Sequence, residues 1–134
     1  MKNFLLLFVL LTVVSFGCKD DDDVVDATPY AVEITIEEPT ANAVMNVNEA
    51  MAVKVNFGRG TEEVIHHVKI FVLDIDGNTI DTLLEDHAHV AGSYDYDNPA
   101  AYTPTAAGTY KIKAVSHDME GVHADPLEVT FTVE

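Results

Sequence analysis

The sequence predicts an all-β protein, an antiparallel β-sandwich of seven to nine strands, and three observations lead to that prediction. Apolar and polar residues alternate in short runs, which is the period of half-buried strands. Glycine, proline, asparagine and aspartate separate these runs about every 8–12 residues, the spacing typical of sheets joined by tight turns. No stretch carries apolar side chains at the 3.6-residue period of an amphipathic helix.

The clearest strand covers residues 108–117, and we take it as the central strand of the domain. Tyr110, Ile112 and Ala114 fall on one face, and the two lysines between them fall on the other. Tyr110 lies just inside this strand, after a Pro-x-x-x-Gly loop. In this position it resembles the tyrosine corner of immunoglobulin-like sandwiches.

The other strands follow from the same alternation. They are predicted over residues 32–36, 43–47, 51–57, 65–74, 79–84, 93–97, 100–103 and 127–133. Inward positions are Met51, Val53, Val55 and Phe57 in one strand and Val68, Ile70 and Val72 in the next, with His67, Lys69, Phe71 and Leu73 on the opposite face. Asp76-Gly77-Asn78 predicts a hairpin turn, because these residues tolerate positive φ. A calcium loop would need further acidic residues that the surrounding sequence lacks.

The first 17 residues have the form of a secretory leader. Lys2 precedes an apolar run of roughly 13 residues, which is too short for the ~20 residues of a membrane-spanning helix. Gly17 then precedes Cys18, the single cysteine of the chain, so no internal disulfide can form. This junction resembles the bacterial lipobox, although Ser15 and Phe16 depart from its strict pattern. The resemblance implies lipidation at Cys18; the alternative is a cleaved leader that leaves a free thiol.

An acidic run follows the cysteine directly. Lys19, Asp20 and Asp21 open a charged stretch that is typical of a solvated spacer. They also resemble the surface-export signal of Bacteroidota lipoproteins. The resemblance implies a protein that is lipid-anchored in the outer membrane and exposed at the cell surface, with retention facing the periplasm as the alternative.

Three segments result: a lipoprotein signal peptide (1–17), a lipidated cysteine with an acidic tether (18–29), and a β-sandwich (30–134). The last resembles the bacterial immunoglobulin-like modules, fibronectin-III and PKD-like ones included, of Bacteroidota-type surface lipoproteins. Without the leader, the chain carries 23 acidic and 6 basic residues, a net charge of −17, because Lys2 is the one basic residue lost. Such a charge repels phosphate backbones, so we expect no nucleic-acid partner.

Six histidines carry the candidate site. The predicted topology places them at one pole of the sandwich, where imidazoles that converge would suit Zn²⁺ or Cu²⁺. They are His66, His67, His87, His89, His117 and His123, with Asp86, Asp118 and Glu120 as candidate oxygen ligands. Two alternatives stay open: solvated surface histidines, and an interface that responds to pH.

We expect no enzyme, because no serine lies in a nucleophile elbow and no glycine-rich loop precedes a helix. The leading hypothesis is a non-enzymatic, surface-anchored immunoglobulin-like binding or structural module with no certain cofactor. The alternative is a lipoprotein that binds Zn or Cu through the histidines. The membrane is the expected partner, through the lipid anchor, and a protein, glycan or metal ligand is left open. Tyr94, Tyr96 and Tyr102 could stack on a glycan, although packing explains them more simply.

Overall fold

A computed structural model of the protein describes residues 29–134. The predicted signal peptide, the predicted lipidation site Cys18, the predicted export residues and all but the last residue of the predicted tether lie outside the described residues. Eight strands make up the described part. In order they are β1 (Glu33–Glu38), β2 (Val44–Met45), β3 (Met51–Gly58), β4 (Val64–Asp74), β5 (Thr79–Ala91), β6 (Ser93–Tyr102), β7 (Gly108–His117) and β8 (Leu127–Val133). Between residues 29 and 134, no helix is long and apolar enough to cross a membrane.

The strands form two sheets, which confirms the predicted β-sandwich. One sheet has the order β1-β3-β6 and the other the order β2-β8-β7-β4-β5. Pairing is antiparallel throughout, except that the short β2 lies parallel to β8. The chain passes from the larger sheet to the smaller one between β5 and β6, at Gly92, whose φ of +83° is readily adopted by glycine.

The core lies between the sheets and consists of side chains from alternating strand positions. Every residue that was predicted to point inward from β3 and β4 is buried. They pack with Ile112 and Ala114 of β7 and with Phe131 and Val133 of β8. One position differs, because Leu73 was expected on the outer face yet is only 5% exposed. Alternation along one strand does not show which strands lie beside it. Leu73 has a strand on each side, β5 and β7, and these neighbours cover it.

The strand boundaries differ most from the prediction at three places. The strand predicted over 79–84 continues as β5 to Ala91, so its polar second half is sheet rather than loop. The two strands predicted over 93–97 and 100–103 are one strand, β6, which includes Pro99. Proline is tolerated there because β6 lies at the edge of its sheet, where a backbone N–H on the outer side has no strand to bond. The strand predicted over 43–47 shortens to β2.

Two local predictions are confirmed by hydrogen bonds. The Tyr110 hydroxyl donates to the Ala106 carbonyl at 2.8 Å, which is the bond of a tyrosine corner. In the β4–β5 hairpin, Asn78 donates from its backbone and its side chain to the Asp74 carboxylate, at 2.8 Å each. These two bonds hold the pKa of Asp74 below its ordinary value. Gly77 occupies the turn with a φ of +90°.

Candidate metal centre

The structure brings all six histidines into one continuous row at one end of the five-stranded sheet. Strand pairing creates most of the row, because His67 of β4 lies directly opposite His87 of β5 and His117 of β7. A backbone bridge then joins His117 to His123. Neighbouring ring centroids lie 4.3 Å (His67–His87), 4.4 Å (His67–His117), 5.2 Å (His66–His89), 5.2 Å (His117–His123) and 5.6 Å (His87–His89) apart.

Three of these side chains already approach the geometry of a metal site. His66, His87 and His89, the bulge triad, each offer one ligand atom, and these atoms lie within 4.8 Å of one another. Nitrogen ligands of a tetrahedral zinc ion bind at about 2 Å and therefore lie about 3.3 Å apart. The three rings need to close by at most about 1.5 Å to reach that spacing. His87 and His89 are exposed, so their side chains have room to turn.

A β-bulge between β4 and β5 brings the three histidines of the bulge triad close together. Ile65 pairs with Val90 and His67 pairs with His87, so one residue of β4 lies opposite two residues of β5. The extra residue leaves His89 in the left-handed region, with a φ of +47°. That conformation costs a residue with a side chain roughly 1–2 kcal/mol. Backbone strain of this kind concentrates at functional sites, and here it lies within the triad.

His66 lies in the most enclosed position of the triad. Its Nδ1 atom is buried and has no hydrogen-bond partner among the described residues. An unsatisfied buried polar atom costs about 1–3 kcal/mol. A metal ion bound at Nδ1 itself would offset part of that cost, since it would satisfy the lone pair of that nitrogen.

A buried hydrogen-bond network holds the backbone at His66 in place. The Tyr30 hydroxyl accepts from the backbone N–H of His66 at 3.2 Å and bonds the Ser116 hydroxyl at 2.9 Å. Ser116 in turn donates to the His67 carbonyl at 2.8 Å. The Arg59 guanidinium lies over the Tyr30 ring, 4.4 Å from its centroid. This network therefore fixes the backbone that carries both histidines of β4.

Sequence reasoning did not identify Tyr30 or Ser116 as part of the site. Ser116 had a readable signal, because it continues the inward face of Ile112 and Ala114 and is a polar residue at a core position. It is fully buried, and a buried hydroxyl needs a partner. Tyr30 had no such signal, since it precedes β1 and its contacts are with residues distant in sequence.

The other half of the row is a stack. The rings of His87, His67 and His117 lie nearly parallel, with interplanar angles of 19° and 14°. Burial lowers the pKa of His67 below 6.5, and charge on His117 and on His87 lowers it further. A lowered pKa favours the neutral imidazole, which is the form that binds metals. His117 donates from Nδ1 to the Asp118 carbonyl at 3.0 Å.

Two of the acidic side chains that were candidate oxygen ligands already hold hydrogen bonds. Asp86 accepts from the Tyr94 hydroxyl at 2.9 Å. Burial and this bond raise the pKa of Tyr94 to about 12. Asp118 accepts from the backbone N–H groups of Glu120 and Val122 at 2.9 and 2.8 Å, which shapes the turn after β7. Glu120 is exposed in that turn. The candidate centre is therefore built from imidazole nitrogens.

The tyrosines that were considered for a glycan do not form an exposed platform. Tyr94, Tyr96 and Tyr102 are all partly buried and pack against the hydrophobic core. Tyr94 also lies edge-on to Phe57, with ring centroids 6.2 Å apart. Their placement agrees with the simpler interpretation, in which these tyrosines contribute to the packing of the sandwich.

Comparison with known proteins supports the assignment of the fold class. No protein-family model matches the chain, and no curated protein matches it. Solved structures do. A CARDB domain from Pyrococcus furiosus, in complex with di-metal ions, is 18% identical over 78% of this chain and 86% of its own, with a TM-score of 0.50. The described chain is thus an immunoglobulin-like β-sandwich.

Two further structures are similar at lower scores. Fibronectin(III)-like modules of CbhA from Clostridium thermocellum are 16% identical over 78% of this chain, with a TM-score of 0.48. This chain spans 47% of the length of that one. CopC from Methylosinus trichosporium OB3b is 22% identical over 76% of this chain and 94% of its own, with a TM-score of 0.43. At such identities these likenesses concern the fold alone, so the site has to be argued from its own geometry.

Proposed function

We propose that this protein is a non-enzymatic, lipid-anchored immunoglobulin-like module that binds a late first-row divalent metal ion at the bulge triad. The observation that carries the proposal is the meeting of three imidazoles, with ligand atoms within 4.8 Å of one another. The bulge that unites them contains the left-handed His89. The buried and unpartnered Nδ1 of His66 adds a second, independent reason for a ligand at this place.

Zn²⁺ and Cu²⁺ are the ions that fit the donor set. Imidazole nitrogen suits zinc, copper and nickel, whereas calcium and magnesium prefer oxygen. Affinity among divalent ions generally rises to copper, so Cu²⁺ should bind the isolated protein more tightly than Zn²⁺. The acidic surface of the chain, with a net charge of −16, would also raise the local concentration of any cation.

Binding without catalysis is the simpler assignment for this site. A catalytic zinc centre needs, besides an open position, a general base near the bound water. The carboxylate next to His87 along the chain is Asp86, which is engaged with Tyr94. Two of the three side chains, His87 and His89, are exposed, which suits an ion that is captured and released.

Isothermal titration calorimetry of the full chain in detergent micelles tests the site. The wild type should bind Zn²⁺ and Cu²⁺ with a Kd below roughly 10 μM, about −7 kcal/mol or stronger. His66→Ala/His89→Ala should weaken the tightest binding by at least about 10-fold, since even outer-shell changes cost 10–100-fold. Asp97→Asn, an exposed carboxylate of β6 in the other sheet, is the control and should bind as the wild type does.

Three results would contradict the proposal. One is the absence of Zn²⁺ and Cu²⁺ binding tighter than roughly 10 μM. The second is binding whose stoichiometry and affinity are both unchanged in the double histidine variant. The third is Ca²⁺ binding of equal strength, which would mean that the acidic surface and not the imidazoles attracts the ion.

The anchor is proposed from the leader sequence. Lipidation at Cys18, followed by Lys19, Asp20 and Asp21, would hold the module at the outer membrane, exposed at the cell surface. Cys18→Ala should release the protein from the membrane fraction. Protease added to intact cells should degrade the wild-type domain if it faces outward. Membrane fractionation that is unchanged by Cys18→Ala would contradict the anchor without affecting the metal site.

A further inference from the structure

We propose that the histidine row holds a second metal ion, bound by His67, His117 and His123, so that one chain takes two ions. This inference rests on the proposed function of the bulge triad and extends it to the other end of the row. We call these three residues the stacked triad. None of them belongs to the group whose ligand atoms already lie within 4.8 Å.

Backbone pairing places the stacked triad on three neighbouring segments. His67 and His117 are direct cross-strand partners of β4 and β7, and their ring centroids are 4.4 Å apart. His117 is bridged in turn to His123, with ring centroids 5.2 Å apart. The sheet therefore brings His67 and His117 together, and the isolated bridge in the β7–β8 connection adds His123.

The hydrogen bond of His117 is of the kind that metal-binding histidines make. Its Nδ1–H donates to the carbonyl of Asp118 at 3.0 Å. That bond fixes the tautomer and leaves the Nε2 lone pair free. Metal-binding histidines almost always donate their other ring N–H to a carbonyl, a carboxylate or water, which orients the ring and raises its basicity.

The side chains of the stacked triad can reach the spacing that a bound metal ion requires. The ring centroids of His67 and His117 are 4.4 Å apart and the rings are nearly parallel. Both rings therefore have to rotate out of the stack before their nitrogen lone pairs converge on one ion. His123 is exposed and lies in the connection between β7 and β8, outside both strands. Because it is exposed, its ring has room to turn toward the other two.

Two ions fit the row better than one. A zinc ion in a structural site takes four ligands, whereas the row contains six imidazoles. His66 and His123 lie at opposite ends, separated by four other rings whose neighbours are 4.3–5.6 Å apart. An ion that takes four ligands can use at most four of these six rings. His87 stacks on His67 and also belongs to the bulge triad, so it lies between the two ions.

Native mass spectrometry of the full chain in detergent micelles, titrated with Zn²⁺, counts the ions. We expect two per wild-type chain, one in His66→Ala/His89→Ala, one in His117→Ala/His123→Ala, and none when all four substitutions are combined. His123→Ala alone should already weaken the second ion, and it leaves the sheet intact because His123 is outside the strands. Lys113→Ala, on the same face of β7 as His117, is the control and should keep both ions.

The count separates this inference from the proposed function. One ion in the wild type, retained in His117→Ala/His123→Ala, would overturn the second site and leave the bulge triad standing. One ion that either double variant abolishes would mean a single shared centre and would also overturn the two-ion assignment. No ion in the wild type would remove both proposals together.

Discussion

Replacing His89 by glycine is expected to stabilise the metal-free protein or leave it unchanged, while it weakens metal binding. His89 has a φ of +47°, and a side chain in that conformation costs roughly 1–2 kcal/mol, which glycine avoids. Glycine loses about 0.5–1 kcal/mol through its more flexible unfolded chain. The net change in the free energy of unfolding is therefore about 0 to 1.5 kcal/mol in favour of the variant.

His87→Gly is the matched comparison. Among the described residues with side chains, positive φ occurs at Asn42, Asn48 and His89, so His87 has ordinary strand geometry. Glycine there has no strain to relieve and should destabilise the protein by about 0.5–1 kcal/mol, more once its ring contact with His67 is lost. The two variants should thus differ by about 1–2 kcal/mol, although each removes one imidazole of the bulge triad.

Urea denaturation of the full chain with a chelator present measures both free energies, and equal m-values would show that the unfolded states are comparable. Calorimetry with Zn²⁺ should show weaker binding for both variants. If His89→Gly destabilises the metal-free protein as much as His87→Gly does, the argument from backbone strain is wrong. If it retains full affinity, His89 is not a ligand.

Three further predictions concern the frame of the site and the fold. Tyr30→Phe removes the hydroxyl shared with Ser116 and should lower the free energy of unfolding by about 1–3 kcal/mol; a thermal midpoint that moves by less than a degree would contradict this. Asn78→Ala should return the pKa of Asp74 part of the way toward 3.8, because it removes the side-chain hydrogen bond, the largest cause of the lowering, and keeps the backbone one. Since that folded-state pKa is depressed, the stabilisation is present above about pH 3.8 and is lost as the pH falls through the folded pKa; NMR titration of the carboxyl checks the shift. Phe131→Ala should cost about 3–5 kcal/mol in urea denaturation, because the ring is fully buried.

Features governed by neighbours along the chain could be predicted. The strand predicted over residues 108–117 has the same bounds in the structure. The inward faces of β3 and β4 are buried as expected. The Tyr110 corner and the hairpin at Gly77 are also present. Each of these depends on alternation or turn chemistry within about ten residues, so the sequence contains the necessary information.

Features governed by strand partners were missed. The polar second half of β5 resembles a loop, and it becomes a strand because β4 supplies its hydrogen bonds. The hydroxyl of Tyr30 bonds Ser116, 86 positions further along the chain. Burial of Leu73 likewise depends on the strands on either side of it. Pairing of this kind follows from the assembled sheets and has no local pattern.

The histidine site combines both kinds of feature, those that the local sequence determines and those that strand pairing determines. The sequence alone determined the all-β fold class, and with the topology of such sandwiches it indicated that the six histidines belong at one pole. Only the tertiary structure decided how they meet there, as a bulge triad and a stacked triad. The physical reason is register: His67 meets His87 and His117 because their strands align. His66 and His89 meet because one extra residue in β5 bends the backbone into a left-handed turn.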